Sequence, residues 1–400
     1  MNNIIIDINY YNILIEKIPI LSNNELFNMI IEYCNMMNTS KNISNKTYEI
    51  NNFIKIINNY LNEIRQNIIK NNKIVNKKNN KSYILNNGKN EIVKKHKLTV
   101  EAIIESMIHT IIFYLDNELT VNISANVSSN NGRLNQKMHR AEGISLGYFI
   151  VNIYNSDMLN EDKNTSLLIL LKNIANKLEI LQNKCGFIHG DFHSGNIFVS
   201  NEDITFIDFG YSTIRIPLKN NNNNNYLILT TPEESNINRK YSLDILTDPI
   251  LKAIDMFHLL EDLITFDKTK FNTQNDFDLF MSFIKDIRNL YMKNYNKKTY
   301  LKYGNKHFFT SSSNFGNNDF EILYPENFKN LTIEKIYNNN HSIGKRSSNN
   351  SNSNTNSNNY NFNKTVKKPK PLFPFSTIKK DNNDQHNLSK DLFRGSLFDN

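Results

Sequence analysis

The run Ile188-His189-Gly190-Asp191-Phe192-His193-Ser194-Gly195-Asn196-Ile197, followed by Phe206-Ile207-Asp208-Phe209-Gly210, constrains this chain more than any other segment. Between the two clusters lie two short β-prone runs, Ile197-Phe198-Val199 and Ile204-Thr205-Phe206-Ile207, separated by polar Ser200-Asn201-Glu202-Asp203. That pattern predicts a tight hairpin. A hairpin returns Asp208 to the neighbourhood of Asn196, so two carboxylates and one carboxamide converge on neighbouring turns.

Such a donor set suits phosphoryl transfer. The reaction leaves a protein little covalent work, and catalysis is mostly positioning and charge neutralisation. Magnesium favours oxygen ligands and is usually held by one or two carboxylates together with nucleotide phosphates. Asp208 fits that description, and Asn196 offers a neutral carbonyl oxygen to a second ion without adding another full negative charge. Asp191 would accept the proton of an attacking hydroxyl, or at least orient it.

His189-Gly190-Asp191 with Asn196 resembles the catalytic loop H-R-D-x-x-x-x-N of the protein-kinase-like superfamily, and Asp208-Phe209-Gly210 resembles its D-F-G metal motif. Leu167 to Leu181 has apolar residues at helical spacing and is similar to the long helix that enters that loop. Glu142-Gly143-Ile144-Ser145-Leu146 is similar to the hinge between the two kinase lobes. The resemblance covers about residues 138–212. It implies an α+β, two-lobed fold with a small β-rich amino-terminal lobe and a larger helical carboxy-terminal lobe. It implies ATP and Mg2+ as cofactors. The site it implies has Asp191, His189 and His193 as catalytic residues, Asn196 and Asp208 on metal, and Lys94, Glu105 and Glu142 on the nucleotide.

One departure bears on the substrate. His193 stands where protein serine/threonine kinases usually carry lysine. The form H-G-D-x-H-x-x-N is typical of aminoglycoside phosphotransferases, choline kinases and several atypical kinase-like proteins. The signature therefore points to a phosphotransferase more firmly than to an acceptor. His193 reads as a phosphate-side or loop-bracing residue, since no second His or Cys lies near it at zinc-ligand spacing.

Upstream, Ser82-Tyr83-Ile84-Leu85 and Glu91-Ile92-Val93-Lys94 read as two strands joined around Asn87-Gly88. Ile92-Val93-Lys94 is similar to the kinase strand whose lysine holds the α- and β-phosphates. Lys94 is the choice and Lys95, on the other strand face, the runner-up; a solvated lysine pair at a strand end is the plain alternative. Val100 to Leu115 predicts a helix with Ile103, Ile104, Met107, Ile108 and Ile111 on a broad apolar face. Glu101 and Glu105 lie one turn apart, and either could pair with Lys94, with Glu105 favoured. No glycine precedes Gly88, and the place for a phosphate-covering loop, Asn71 to Asn80, is a run of Asn and Lys around Ile74-Val75. Asn tolerates positive φ, but lets backbone amides approach phosphate less closely than glycine does.

Downstream, Asn220 to Asn225 is a polyasparagine insert, and Thr231-Pro232-Glu233 resembles the A-P-E motif that ends kinase activation segments. Ile254-Asp255-Met256 resembles the helix whose buried aspartate anchors the catalytic loop, with Asp244 as rival. Residues 1–70 read as a helical extension with runs at Leu26 to Met37 and Phe53 to Ile69. Residues 71–337 read as the catalytic domain, its lobes at about 71–140 and 141–337, including an amphipathic helix over 277–292. Residues 338–400 read as a disordered tail: Ser347 to Asn363 is Asn/Ser low complexity, unable to offset its ordering entropy. The basic Pro/Phe segment 367–375 is a candidate docking element for a partner.

Composition narrows the setting. A net charge of +8 comes without a concentrated arginine stripe, so specific nucleic-acid binding is not expected. No apolar run reaches the roughly twenty residues that span a bilayer. The amino terminus has Asn and Asp where a signal peptide needs positive charge, and two distant cysteines, Cys34 and Cys185, suit a reducing compartment. A soluble, cytoplasmic protein without membrane contact is the expectation. The leading expectation for the acceptor is a protein serine or threonine hydroxyl. The alternatives are a small-molecule kinase of the aminoglycoside or choline type, and a pseudokinase that only binds. For a cationic small substrate, Glu261, Asp262 and Asp267 are the candidate acids.

Overall fold

The computed structural model describes residues 6–39, 43–71, 83–86, 90–129, 131–201, 203–218, 226–231, 249–292, 300–303, 306–309 and 323–344. It is a two-lobed, protein-kinase-like α+β fold. The small lobe is built on one antiparallel sheet, with β1 (Tyr83–Asn86), β2 (Glu91–His96), β3 (Ile123–Val127) and β4 (Leu134–His139) in the order β1-β2-β4-β3. Lys94 sits in the middle of β2, opposite Ile84 of β1 and Gln136 of β4.

Among the described residues three α-helices precede this sheet: α1 (Ile8–Lys17), α2 (Asn24–Thr39) and α3 (Ile43–Asn71). The fourth, α4 (Val100–Leu115), follows β2. Thr99 caps α4, its hydroxyl accepting from Ala102 N. The sequence shows α4 one broad apolar face, yet the residues from Val100 to Ile112, Glu101 apart, are all buried. A helix buried all round needs cover on every side. The sheet covers one side through β3 and β4, while α1 and α3 cover others.

The lobes join at a bend around Gly143, whose φ is +83°. A Cβ there would lie 2.0 Å from the Val199 carbonyl oxygen, so only glycine lets the chain approach this closely. The bend leads into β5 (Ile144–Ser145), which pairs with β6 (Ile197–Ser200), and β6 pairs with β7 (Asp203–Phe206) as the expected hairpin. The linker between lobes is thus fastened directly to the hairpin that carries the site.

The large lobe contains α5 (Leu146–Tyr154), α6 (Asn160–Cys185), α7 (Pro249–Ile264), α8 (Gln274–Met292), α9 (Pro325–Phe328) and α10 (Ile333–Gly344). Helix α6 runs about two turns further toward its amino end than its apolar period predicts. Its first turns bury polar groups instead: Lys163 donates to Tyr154 O and Asp276, and Asn164 bonds the Tyr154 and Tyr337 hydroxyls. A polar buried face leaves no hydrophobic signal.

After the site, β8 (Thr213–Pro217) and β9 (Tyr226–Thr230) form a second hairpin, and β10 (Tyr300–Tyr303) pairs with β11 (Lys306–Phe309). Several expected features lie outside the described residues. These are residues 72–80 of the expected phosphate loop (Asn71 to Asn80, of which Asn71 ends α3), the insert at 220–225, Pro232-Glu233, Asp244, and the tail segments 347–363 and 367–375. Among the described residues no helix is long and apolar enough to cross a membrane. Cys34 and Cys185 are free and buried, and burial pushes the Cys185 thiol up to about 12, so it is protonated at neutral pH.

Candidate active site

Helix α6 delivers the chain to the site and stops at Gly186, whose left-handed φ of 58° caps it with a bond to Gln182 O. Ile188 then pairs with Thr213 through two backbone bonds of 2.9 Å. Next comes Gly190, at φ 78°, a conformation that explains glycine where the superfamily pattern carries arginine. The turn is held by Asp255 of α7, which is fully buried. Its Oδ2 accepts from His189 N at 2.8 Å and its Oδ1 from Gly190 N at 3.0 Å. Asp262, seven residues or about two turns further along α7, accepts from Ser194 N at 2.8 Å. Two carboxylates of one helix therefore fix both ends of the loop that displays Asp191.

Within that loop Asn196 Nδ2 donates to Asp191 O at 2.9 Å, which turns the carboxamide oxygen away from that bond. Asn196 O accepts from Ile207 N at 3.0 Å, tying the loop to the approach of Asp208. His193 braces the turn. Its Nδ1 accepts from Gly195 N at 3.1 Å, leaving Nε2 3.8 Å from Asp191 Oδ2. A Cβ on residue 195 would come within 2.8 Å of the His193 ring, so the glycine permits this close brace.

Asp208 has φ 63°, a left-handed conformation that non-glycine residues adopt infrequently. Lys94 Nζ reaches it across the cleft at 3.0 Å and Glu105 Oε1 of α4 at 2.9 Å. Burial works to lower the Lys94 pKa, but the Asp208 and Glu105 carboxylates outweigh it and hold the ammonium charged, well above the usual lysine range. Reciprocally, the Lys94 ammonium draws Asp208 down to about 2. Lys94, not Lys95, and Glu105, not Glu101, make these contacts. Glu142 is exposed on the bend before Gly143 and is not part of this bonded set.

A column of rings stands behind the carboxylates. His109 of α4 meets Phe209 edge-on at 4.9 Å, Phe209 lies 5.5 Å from His189, and His189 lies 5.3 Å from Phe192. Sequence reading singled out His189 but not His109, which sits one turn after Glu105 and looks there like another member of an apolar face. His189 Nε2 donates to Ile207 O and His109 Nε2 to Val121 O, while His189 Nδ1 is buried without a partner. Burial lowers both pKa values to about 4.

A pH dependence of stability follows. Well above pH 6.5 both histidines are neutral, folded or unfolded, and contribute no difference. As pH falls from about 6.5 toward 4 the unfolded chain binds two protons that the folded chain refuses. Stability is therefore lost on acidification through this window. Urea melts should show a midpoint that drops between about pH 7 and 5, before carboxylates titrate. A flat midpoint there would contradict the buried neutral histidines.

The donor set fits magnesium. A carboxylate, Asp208, and a carboxamide oxygen, Asn196, are hard ligands, and two are what a metal bound partly by nucleotide phosphates requires of the protein. Among the described residues no cluster of three or more His, Cys, Asp or Glu side chains could hold a metal unaided.

Residues 143–219 match the model of the phosphotransferase enzyme family. That span runs from the hinge glycine through the loop of Asp191 and Asn196 to the end of β8. No curated protein matches the chain. The match over residues 143–219, together with the two-lobed α+β fold, supports the resemblance of this chain to the protein-kinase-like superfamily.

Proposed function

We propose that the chain transfers the γ-phosphoryl group of ATP, in a magnesium-dependent reaction, to a serine or threonine hydroxyl of a protein. The observation that carries the phosphotransferase part is Lys94 bonded at once to Glu105 and Asp208, beside a loop braced by Asp255. In this reading Lys94 steadies the α- and β-phosphates, and Asp208 with Asn196 holds magnesium, which neutralises charge on the phosphates when bound. Asp191 takes the proton of the acceptor hydroxyl as its oxygen bonds to the γ-phosphorus. The bond to the β-phosphate oxygen breaks, and ADP leaves. His193 keeps Asp191 oriented through its own bond to Gly195.

Support for a protein acceptor comes from the acids available to a cationic small substrate. Glu261 is paired with Arg288 at 3.0 Å, Asp262 accepts from Ser194 N, and Asp267 accepts from Thr269 N. Each of the three has a structural bond. A second reading, transfer to a small alcohol, is favoured by the matched family and by His193 in place of lysine.

The test is transfer of γ-labelled phosphate with magnesium, offering a mixed protein acceptor, then choline and aminoglycosides, to wild type and Asp191→Asn. Label on protein, reduced at least about a hundredfold in the variant, is expected. Label on a small alcohol would replace the protein reading by the second one. No transfer and no nucleotide binding would leave a binding module.

A further inference from the structure

The amino-terminal helices α1–α3 hold two parts of the proposed site from behind. On one side they grip α4, the helix that carries Glu105. Helices α1 and α3 pack on it, Tyr10 meets Tyr114 edge-on at 5.8 Å, and Asn58 Oδ1 accepts from Val100 N at 3.0 Å. Val100 is the first residue of α4 and is fully buried, so without Asn58 its N–H would have neither a helical partner nor water. Glu105 lies five residues along the same helix, about 7.5 Å of rise away. On the other side they grip the β8–β9 hairpin, which follows Asp208-Phe209-Gly210. Ile6 bridges Leu218, Asp7 N donates to Pro217 O at 3.4 Å, α2 packs along β9, and the buried Tyr33 hydroxyl donates to Thr230 O at 3.1 Å.

Lys94 can bond Glu105 and Asp208 together only if α4 and the segment after Asp208 stay in place at the same time. Both are fastened to a single body. We infer that Asn58 and Tyr33 are positioning residues for phosphoryl transfer: the amino-terminal helices act as a built-in clamp that keeps Glu105 and Asp208 on Lys94. The assembled site is then supplied by this chain itself. This inference rests on the phosphotransferase reading, and it extends that reading to residues that touch neither nucleotide nor acceptor.

The test uses the full chain with Asn58→Ala, Asn58→Asp and Tyr33→Phe, well below their melting temperatures. Binding of a fluorescent ATP analogue with magnesium and kcat/KM for ATP are read in parallel. Asn58→Ala should lower kcat/KM about fivefold, the change that loss of a typical capping bond gives in an equilibrium. Asn58→Asp keeps an acceptor for Val100 N and should restore it to within about twofold of wild type. Tyr33→Phe removes one hydroxyl and should lower kcat/KM severalfold. A purely structural role would lower melting temperatures while leaving kcat/KM of the folded protein unchanged, and that result overturns the inference. So does an Asp variant as impaired as the Ala variant. If Asn58→Ala does not fold, Tyr33→Phe decides: wild-type kcat/KM in it overturns the clamp. A wild type that neither binds the nucleotide nor transfers phosphate overturns the phosphotransferase reading itself. That outcome is separate from an active wild type with unaffected variants.

Discussion

Asp208→Asn is expected to reduce phosphoryl transfer by about a thousandfold or more while leaving the protein folded. The carboxylate is where Lys94 and, in the proposed reaction, magnesium meet. Asparagine keeps one oxygen but loses the charge that makes this position a strong ligand for a hard cation. The choice of asparagine matters because residue 208 has φ 63°. Asparagine tolerates that region better than most residues, whereas Asp208→Ala would add backbone strain to the lost ligand. The partner should survive as well. Lys94 retains Glu105 at 2.9 Å, so its ammonium does not become an unpaired charge. Initial rates with γ-labelled ATP and magnesium, alongside a thermal melt, check this. A variant that keeps more than about a tenth of wild-type turnover would remove Asp208 from the proposed chemistry.

The fold class and the loop of Asp191, Asn196 and Asp208 were legible because their determinants are local. A hairpin of β-prone runs between two polar turns is written in twenty-three consecutive residues, Ile188 to Gly210. Other features depend on how distant pieces dock. Strand alternation puts Lys94 and Lys95 on opposite faces, but it cannot say which face looks into the cleft. The place of β2 between β1 and β4, with α4 against the sheet, settles that. Glu101 and Glu105 are likewise equivalent to a helical period. Asp262 looked like an acid free for a cationic substrate, yet its partner is the backbone of Ser194, and no pattern in sequence announces a bond to a distant N–H. The grip of the amino-terminal helices on Val100 and Thr230 was illegible for the same reason. A capping side chain from another helix leaves only an ordinary asparagine or tyrosine in the text.

Asp255→Ala should be the most destabilising single change near the site. The carboxylate is fully buried and accepts two backbone N–H groups, from His189 and Gly190. Alanine strands both donors away from water, and each orphaned buried donor costs about 1–3 kcal/mol. The charged acceptor brings the expected loss to about 3–5 kcal/mol, on the order of 10 °C in melting temperature for a domain of this size. Turnover should fall with it even where the protein remains folded. Gly190, with φ 78°, is fixed by one of those bonds, and Asp191 hangs directly from it. Asp255→Asn separates the two effects. It preserves one acceptor but turns an NH2 group toward a backbone N–H, so one contact becomes donor against donor. The asparagine variant should therefore recover part of the stability and little of the activity. Melting temperature and kcat measured on wild type and both variants decide it. Full activity in folded Asp255→Ala would show that the loop of Asp191 holds its shape without α7.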